Sequence, residues 1–571
     1  MYYFTRHLYK SKVTKTNGMK KFLYTIIVIL CCSPATNAQY NLGIATGNWS
    51  GMYGLYLNPA NIADSRERFV IDVISLNAGI DNSLGYINSN GGLIGAINKG
   101  NTNNIFSYNT SSKFSLLAPY AQVRLPGIMV SINHKHSLAL STGIRGFNQF
   151  NNFDRSLYQT ITDPNYVPNE NIDLTSNKFN YTAHVWSEVG LSYAGVLLDQ
   201  NEHEIKVGIT LRYLGGIGYL GLKGKNLDAH FKAGSDSVIV NNSDLEFASN
   251  IVSTRSAILN GVSNHSILSE FLGAKDGSGI GADLGIVYDY MPEYARDEYQ
   301  KKHKKKIRTD YSRNRYMLRF SASVMDIGAI KYKSSVNSNA NVTGNGSVSG
   351  QDFAANVTNF DDFRHYAVSH GFTADTSHQD TKVYMPTTLR LGVDYNMYKW
   401  LYLNTTFIGN LANRQNFGNS YYSQITVTPR YDTRKLSVGI PITYSFLTST
   451  MKVGVGVRIS GFFVGSDDIL ALVAKHQSGV NFYVGGFVQF NKHTPKGKPA
   501  EAEEPQPELQ RNNIDSSEDA QDGAFIYKVK GSIPNAETSY GPAYTSSQTN
   551  SNTMPLTSLE MDNKRYSEIK N

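Results

Sequence analysis

Apolar and polar residues alternate at every second position over long stretches of this chain. The clearest example is Lys435 to Ser460, whose apolar residues are Leu436, Val438, Ile440, Ile442, Tyr444 and Phe446 and then, after a short break, Met451, Val453, Val455, Val457 and Ile459. Successive side chains of a β-strand point to opposite faces of the sheet. The pattern therefore predicts a hairpin with one apolar face and one small or polar face.

The same alternation recurs along most of the chain. It predicts about fourteen strands, although twelve or sixteen would also fit. Their approximate ranges are 69–80, 117–133, 137–148, 179–198, 204–220, 280–291, 315–332, 386–397, 400–410, 421–430, 435–447, 451–460, 461–467 and 479–490. Tyrosine and tryptophan residues near strand ends suit the aromatic girdle of a membrane barrel: Tyr395, Trp400, Tyr402, Tyr444 and Tyr483.

Short and long connections alternate between these strands. Short turns follow Asn133, Asp199, Met397 and Arg430, and long Asn/Ser/Gly-rich loops fill about 81–115, 150–178, 221–278 and 334–384. This asymmetry is typical of an antiparallel outer-membrane β-barrel, with turns in the periplasm and loops outside. The even strand number places both termini in the periplasm. A secreted β-sandwich or propeller shares the alternation but explains the strand lengths and the loop asymmetry less well.

The N-terminus predicts export. Met19 begins a basic segment, an apolar run follows to Cys32, and small residues precede Gln39, as in a signal peptide. We therefore expect a signal peptide over 1–38 with a true start at Met19, a plug-like segment over 39–68, the barrel over 69–491, and a disordered periplasmic tail over 492–571. Both cysteines lie in the signal peptide, so the mature barrel has no disulfide.

Composition and motifs exclude several classes of function. The net charge of +8 is spread along the chain without a nucleic-acid motif, so we expect no nucleic-acid partner. The basic stretch at 301–306 is interpreted as a solvated turn on the short-turn side. No G-x-S-x-G motif is present, and we expect neither an enzyme nor a cofactor.

Three smaller motifs receive structural interpretations. Gly216–Gly221 matches G-x-G-x-x-G but lacks a following helix, and a loop is expected there instead. His134 and His136 lack a third metal ligand. Asp467 and Asp468 are interpreted as an N-cap for a short helix that follows.

Several segments resemble known exported barrels. The entry NPANIAD (58–64), with Asn58, Pro59 and Ala60, resembles that of the FadL and PorV outer-membrane barrels. Further segments, among them HVWSEVGLSYAGVL (184–197), IKVGITLRYLGG (205–216) and TVTPRYDTRKLSVGIPITY (426–444), are similar to an uncharacterised Bacteroidota barrel family that carries only a domain-of-unknown-function label. The resemblance covers about 39–491. It implies a FadL-like barrel in the outer membrane, with an N-terminal segment packed in or under the lumen.

Charged residues opposite the apolar faces are the candidate lumen residues: Glu188, Lys206, Arg212, Asp283, Asp289, Arg319, Arg390, Asp394 and Arg458. They fit either a ligand path or a structural network of ion pairs, and the network is favoured because buried charges are usually paired.

Two functions of different classes follow. The first is passive transport of a small ligand, hydrophobic if the resemblance to FadL holds. The second is a PorV-like scaffold that binds an exported protein through its loops or tail. Outer-membrane lipid is the expected surrounding in both.

Overall fold

The computed structural model describes residues 41–99, 106–109, 113–163, 165–200, 202–250, 276–292, 300–303, 306–309, 314–335, 337–357 and 360–492. The predicted signal peptide lies outside these residues, as does the predicted tail beyond residue 492.

Strands dominate the described chain. The first thirteen are β1 (Glu67–Asn82), β2 (Gly85–Ile87), β3 (Phe106–Tyr108), β4 (Lys113–Ser131), β5 (His136–Asp154), β6 (Ile172–Leu174), β7 (Phe179–Gln200), β8 (His203–Phe231), β9 (Ser237–Ser249), β10 (Gly277–Tyr290), β11 (Gln300–His303), β12 (Lys306–Thr309) and β13 (Leu318–Tyr332). The others are β14 (Ser338–Ser349), β15 (Phe372–Ser377), β16 (Thr381–Tyr384), β17 (Thr388–Tyr398), β18 (Leu401–Asn410), β19 (Gln424–Asp432), β20 (Leu436–Gly439), β21 (Ile442–Ser445), β22 (Thr450–Val453), β23 (Val455–Ile459), β24 (Phe462–Ser466) and β25 (Gly479–Asn491).

Helices are short and few in the described residues. They are α1 (Leu42–Ala45), α2 (Gly92–Asn98), α3 (Arg155–Thr162), α4 (Gly350–Asn356), α5 (Phe360–Ser369) and α6 (Leu470–Val473), with 3-10 helices at Gly51–Tyr56 and Pro59–Ile62. Among the residues that the structure describes, no helix has the length and apolar character needed to cross a membrane.

The sheet closes on itself. The antiparallel order is β1, β4, β5, β7, β8, β10, β13, β17, β18, β19, β20 with β21, β22 with β23, β24 and β25, and β25 pairs back to β1. The prediction of a fourteen-stranded antiparallel barrel is confirmed. Glu67 and Asn491 lie at one end, which we call the near rim, and the opposite end is the far rim.

The barrel wall is apolar outside and polar inside. In the opening hairpin Ile459 is 61% exposed, whereas its neighbour Arg458 is 1% exposed. Exposed apolar residues on a closed barrel form the surface that contacts lipid. The prediction of an aromatic girdle is wrong for Tyr402 and Tyr483, because both side chains are buried inside the barrel. The outward positions of their strand neighbours, Leu401 and Phe482, require this.

A smaller part of the same sheet, which we call the far-rim sheet, extends the wall at the far rim. β8 continues past the wall to Phe231, and its outer half pairs with β6 and β9, then β9 with β14 and β14 with β15. An apolar core that includes Phe153, Phe231 and Phe247 joins this sheet to the wall. The expectation of plain loops over 221–278 and 334–384 is therefore wrong for their described parts. The loop expected after Gly216–Gly221 is a strand as well.

Candidate functional site

Residues 41–66, which we call the N-terminal segment, lie within the barrel lumen. At one end, the backbone N–H groups of Leu42 and Gly43 donate to the Asp467 carboxylate beside β24, at 3.0 and 3.3 Å. Further along, the Asn58 side-chain amide donates to the carbonyls of Ile286 on β10 and Ala322 on β13, both at 3.0 Å. These strands stand on opposite sides of the closed barrel, so the segment crosses its interior.

Asn58, Pro59 and Ala60, the predicted plug entry, approach the wall closely. The Asn58 side-chain oxygen accepts from the Ala60 N–H at 2.9 Å, which caps the 3-10 helix that Pro59 begins. A Cβ added at Gly208 or Gly285 would lie closer than 3.0 Å to atoms of this turn. Glycine on β8 and β10 is therefore required for the turn to reach the wall.

The segment has two unlike flanks. Its apolar flank packs against β1, β4, β5, β7, β24 and β25, through Ile44, Met52, Tyr53, Leu55 and Ile62 of the segment and Val70, Met129, Ala139, Ala194, Phe463, Tyr483 and Phe487 of the wall. Its other flank makes polar contacts: Ser323 donates to the Leu57 carbonyl at 2.8 Å, and Arg390 donates to the Tyr56 carbonyl.

A charge network, which we call the central cluster, occupies the mid-height of the lumen. Its members are Arg124, Arg145, Glu188, Arg212, Asp283, Asp326 and Arg390. Asp326 accepts from Arg145 at 2.7 and 3.2 Å and from Arg212 at 2.8 Å. Glu188 pairs with three arginines and Asp283 with Arg212. Because these side chains are buried, each charge depends on its partners for stability.

Asp326, which sequence reasoning missed, reaches the central cluster through a β-bulge. The register between β10 and β13 shifts between Ala282 and Leu284, and Asp326 has a φ of 57°. The outward alternation Leu318 to Val324 would place residue 326 on the lipid side. The bulge reverses this direction, and the Asp326 N–H donates to Asp283 at 2.7 Å. The break in alternation before Gly328 is the sequence signal that could have revealed it.

The other candidate lumen residues lie in two clusters near the near rim. The Lys206 cluster contains Asp64, Glu204, Lys206, Asp289, Arg315 and Arg319. The Arg430 cluster contains Asp394, Arg430, Asp432 and Arg458. All nine candidate residues thus have an oppositely charged partner within 4.0 Å, as an ion-pair network requires. Their role as ligand path or network stays a prediction.

Two polar cavities border the N-terminal segment, the larger on its polar flank and the smaller reaching Ser75 on β1 and Gln122 on β4. The larger, of about 90 Å³, extends between the segment and β13, β17 and β18, from Glu67 at the near rim to Arg390. The smaller, of about 30 Å³, continues from Arg390 to Arg145 and Tyr421. Ala45 and Arg390 line both cavities, so they form the partition between them.

A loop fills the lumen between the smaller cavity and the far rim. Residues 411–423, which we call the β18–β19 loop, fold into the lumen. Ser420 and Gln149 exchange two hydrogen bonds of 2.8 and 2.7 Å, and Arg145 donates to the Tyr421 hydroxyl at 2.5 Å. Phe417 joins a buried aromatic cluster with Trp186. The lumen is therefore occupied by the N-terminal segment toward the near rim and by this loop toward the far rim.

Asp64 fastens the end of the N-terminal segment to the wall. Burial opposes its ionisation, but the charges of Arg315, Lys206 and Arg66 lower its pKa from the usual 3.8 to about 2. The Arg315 guanidinium donates to its carboxylate at 2.7 Å. Because the folded pKa is the lower one, this contribution is present above pH 4 and is lost as the pH falls through 2. The difference between the usual pKa of 3.8 and the folded pKa of about 2 corresponds to about 2 kcal/mol of folding free energy.

We therefore expect acid to loosen the N-terminal segment through Asp64. Trp49, which is 2% exposed, reports on the segment once Trp186 and Trp400 are replaced by Phe. Acrylamide quenching of Trp49 should rise between pH 4 and pH 2. Asp64→Asn should show raised quenching already at pH 7 and a smaller further rise in acid. An unchanged acid profile in Asp64→Asn would contradict the assignment.

Most of the chain matches the model of a protein family. A family model described as "Family of unknown function (DUF5723)" matches residues 59–467. The chain belongs to this family. The match includes the Asn58-Pro59-Ala60 turn from Pro59 onward and most of the wall. A search of curated proteins finds no match.

Solved structures of outer-membrane channels are similar to this chain. A TodX monoaromatic hydrocarbon channel mutant shares 10% identity with a TM-score of 0.37, over 80% of this chain and 99% of that one. A FadL homologue from Pseudomonas aeruginosa shares 11% identity with a TM-score of 0.36, over 81% and 99%. The toluene transporter TbuX from Ralstonia pickettii shares 12% identity with a TM-score of 0.32, over 78% and 95%.

The interpretation of Asp467 as a helix N-cap is wrong. α6 begins at Leu470 without a side-chain cap. Asp467 instead accepts from the N-terminal segment and from the Tyr483 hydroxyl at 3.2 Å. Asp468 likewise donates its N–H to Ser466 and Asn481, so the backbone here turns before the helix. In the part of the chain that the structure describes, no group of three or more His, Cys, Asp or Glu side chains could hold a metal ion.

Proposed function

We propose that this protein is an outer-membrane barrel through which a small ligand crosses passively, and that the N-terminal segment acts as a plug. The ligand would pass along the polar flank of the segment, between it and β13, β17 and β18. The apolar flank would keep the segment attached to β1, β24 and β25 meanwhile. Opening would then require local movements of the segment and of the β18–β19 loop, and the barrel wall would stay intact.

The two aligned cavities carry this proposal. They run from the near rim to the foot of the β18–β19 loop and are interrupted at Ala45 and Arg390. A lumen filled only for stability would be expected to close with dry packing. The lumen instead retains space along the N-terminal segment, lined by hydrogen-bonding groups.

Two observations favour different classes of ligand. The resemblance to FadL barrels favours a small hydrophobic ligand. The cavity walls favour a solute with hydrogen-bonding groups, because Asn58, Asn61, Asn404 and Thr406 line the larger cavity. Comparing toluene entry into intact cells with swelling of liposomes in a small neutral sugar distinguishes the two.

Arg390→Ala should raise single-channel conductance in planar bilayers severalfold, because it removes the side chain that separates the two cavities. Arg458→Ala is the matched control. Arg458 is equally buried and ion-paired, but it lines neither cavity. A further variant deletes residues 41–64 and removes the contacts of the β18–β19 loop by Gln149→Ala and Tyr421→Phe. Its conductance should be higher still.

A folded barrel that conducts in none of these variants would contradict the proposal. Folding is checked by the heat-dependent mobility of the barrel on gels. Such a sealed barrel would favour the scaffold function, and partners of the loops and of the 492–571 tail would then be sought by pull-down.

A further inference from the structure

A groove at the far rim is separate from the lumen. It has a volume of about 600 Å³ and lies between the β18–β19 loop and the far ends of β5, β7 and β8. None of its lining residues lines either lumen cavity. Its size is that of an ordinary ligand site.

Four cationic side chains line the groove. Lys178, Lys223, Lys225 and Arg414 line it, and none of its described lining residues is acidic. Lys223 and Lys225 pair with Glu246 at 3.2 and 3.3 Å, and Lys225 also lies 4.0 Å from Asp244, so Lys178 and Arg414 are the cations left for a ligand.

Arg414 is the least satisfied of these cations. Its Nε is buried without a hydrogen-bond partner, and no described carboxylate pairs with it. Burial lowers the pKa of the Arg414 guanidinium, as expected for a cation that lacks a counterion. The Asn180 amide donates to the Arg414 and Asn416 carbonyls at 2.8 and 2.6 Å, which fixes the loop that presents this side chain.

Amide side chains supply the remaining polar surface. They are Asn151, Asn152, Asn180, Asn413, Gln415 and Asn416. Asn151 is only 3% exposed, yet neither its Oδ1 nor its Nδ2 has a hydrogen-bond partner. An unsatisfied buried amide is costly, and it points to a ligand that supplies both a donor and an acceptor.

We propose that this groove binds an acidic oligosaccharide. Amides pair a donor with an acceptor, which matches neighbouring sugar hydroxyls. The Arg414 fork and the Lys178 ammonium match a carboxylate or phosphate on the sugar. If both termini are periplasmic, as the sequence predicts, the far rim faces outward, where the source is either a soluble polysaccharide or the sugar headgroup of lipopolysaccharide.

Calorimetric titration of the full mature protein in detergent micelles tests the soluble source. Tetragalacturonic acid should bind, and neutral maltotetraose should bind at least about tenfold more weakly, because charge-assisted hydrogen bonds are lost. Arg414→Gln and Asn151→Leu should each weaken the acidic probe by about tenfold. Lys331→Gln is the control, since Lys331 is exposed, lies outside the groove and pairs with Asp380.

Nanodiscs with and without lipopolysaccharide test the membrane source. Lipopolysaccharide should raise the unfolding temperature of the wild type and of Lys331→Gln, but not of Arg414→Gln. Binding in either experiment supports the groove as an acidic-sugar site and identifies the source of the sugar, provided that substitution of Arg414 and Asn151 weakens that binding. No binding in either arm, or binding that these substitutions leave unchanged in a folded barrel, would overturn the proposal and leave a solvated basic rim.

Discussion

Asp326→Asn will lower the free energy of unfolding by about 3–5 kcal/mol, because it removes one partner of a buried ion pair. Asp326 neutralises Arg145 and Arg212 at 2.7 and 2.8 Å, and Arg145 is 2% exposed. Asparagine keeps the size of the side chain and tolerates the left-handed φ of 57° at this position. The loss therefore reports the missing charge and not backbone strain. The measurement is denaturant unfolding of the refolded barrel in lipid vesicles.

The exposed pair Lys331–Asp380 provides the control, and its lysine lies on β13 with Asp326. Its side chains are 53% and 42% exposed, so solvent screens their attraction. Asp380→Asn should leave the unfolding curve unchanged. If Asp326→Asn were as mild, the central cluster would be hydrated enough to exchange partners. It would then belong to an open ligand path and not to a structural network.

The wall of the barrel was predictable because one physical rule governs it. Lipid outside and charge inside impose a strict alternation, and the fourteen strands follow from that alternation together with the turn signals. The inward direction of Glu188, Lys206 and Arg212 follows from the same rule, and all three are buried. Where the rule was applied inconsistently, as at Tyr483 beside the outward Phe482, the prediction failed.

The contents of the lumen were less predictable, because they depend on contacts between distant segments. Asp326 escapes the alternation through a bulge that only the pairing of β10 with β13 reveals. Tyr421 lies in a polar loop whose sequence gives no sign that it folds inward to meet Arg145. The far-rim sheet was missed because its apolar positions, such as Phe231, are spaced among Asn, Ser and Gly that indicate loops.

Gly208→Ala and Gly285→Ala will displace the Asn58-Pro59-Ala60 turn from the wall. At both glycines an added Cβ would lie closer than 3.0 Å to atoms of the turn, and at Gly208 several of those atoms are backbone that cannot rotate away. The turn holds Asn58 against the carbonyls of β10 and β13, so its loss should free the polar flank of the N-terminal segment. Quenching of Trp49 by acrylamide should increase severalfold, and bilayer conductance should rise with it.

Gly146→Ala is the matched control for these two substitutions. Gly146 also lies on a wall strand, β5, but the nearest atom to an added Cβ there is 3.5 Å away, which is ordinary van der Waals contact. It should leave both readouts unchanged. If Gly208→Ala exposed Trp49 without raising conductance, the segment would not be what closes the lumen. The β18–β19 loop, held by Gln149 and Arg145, would then be the closure that matters. If neither readout moved, the wall would have yielded to the methyl group, and the close approach of the turn would not be what holds the segment in place.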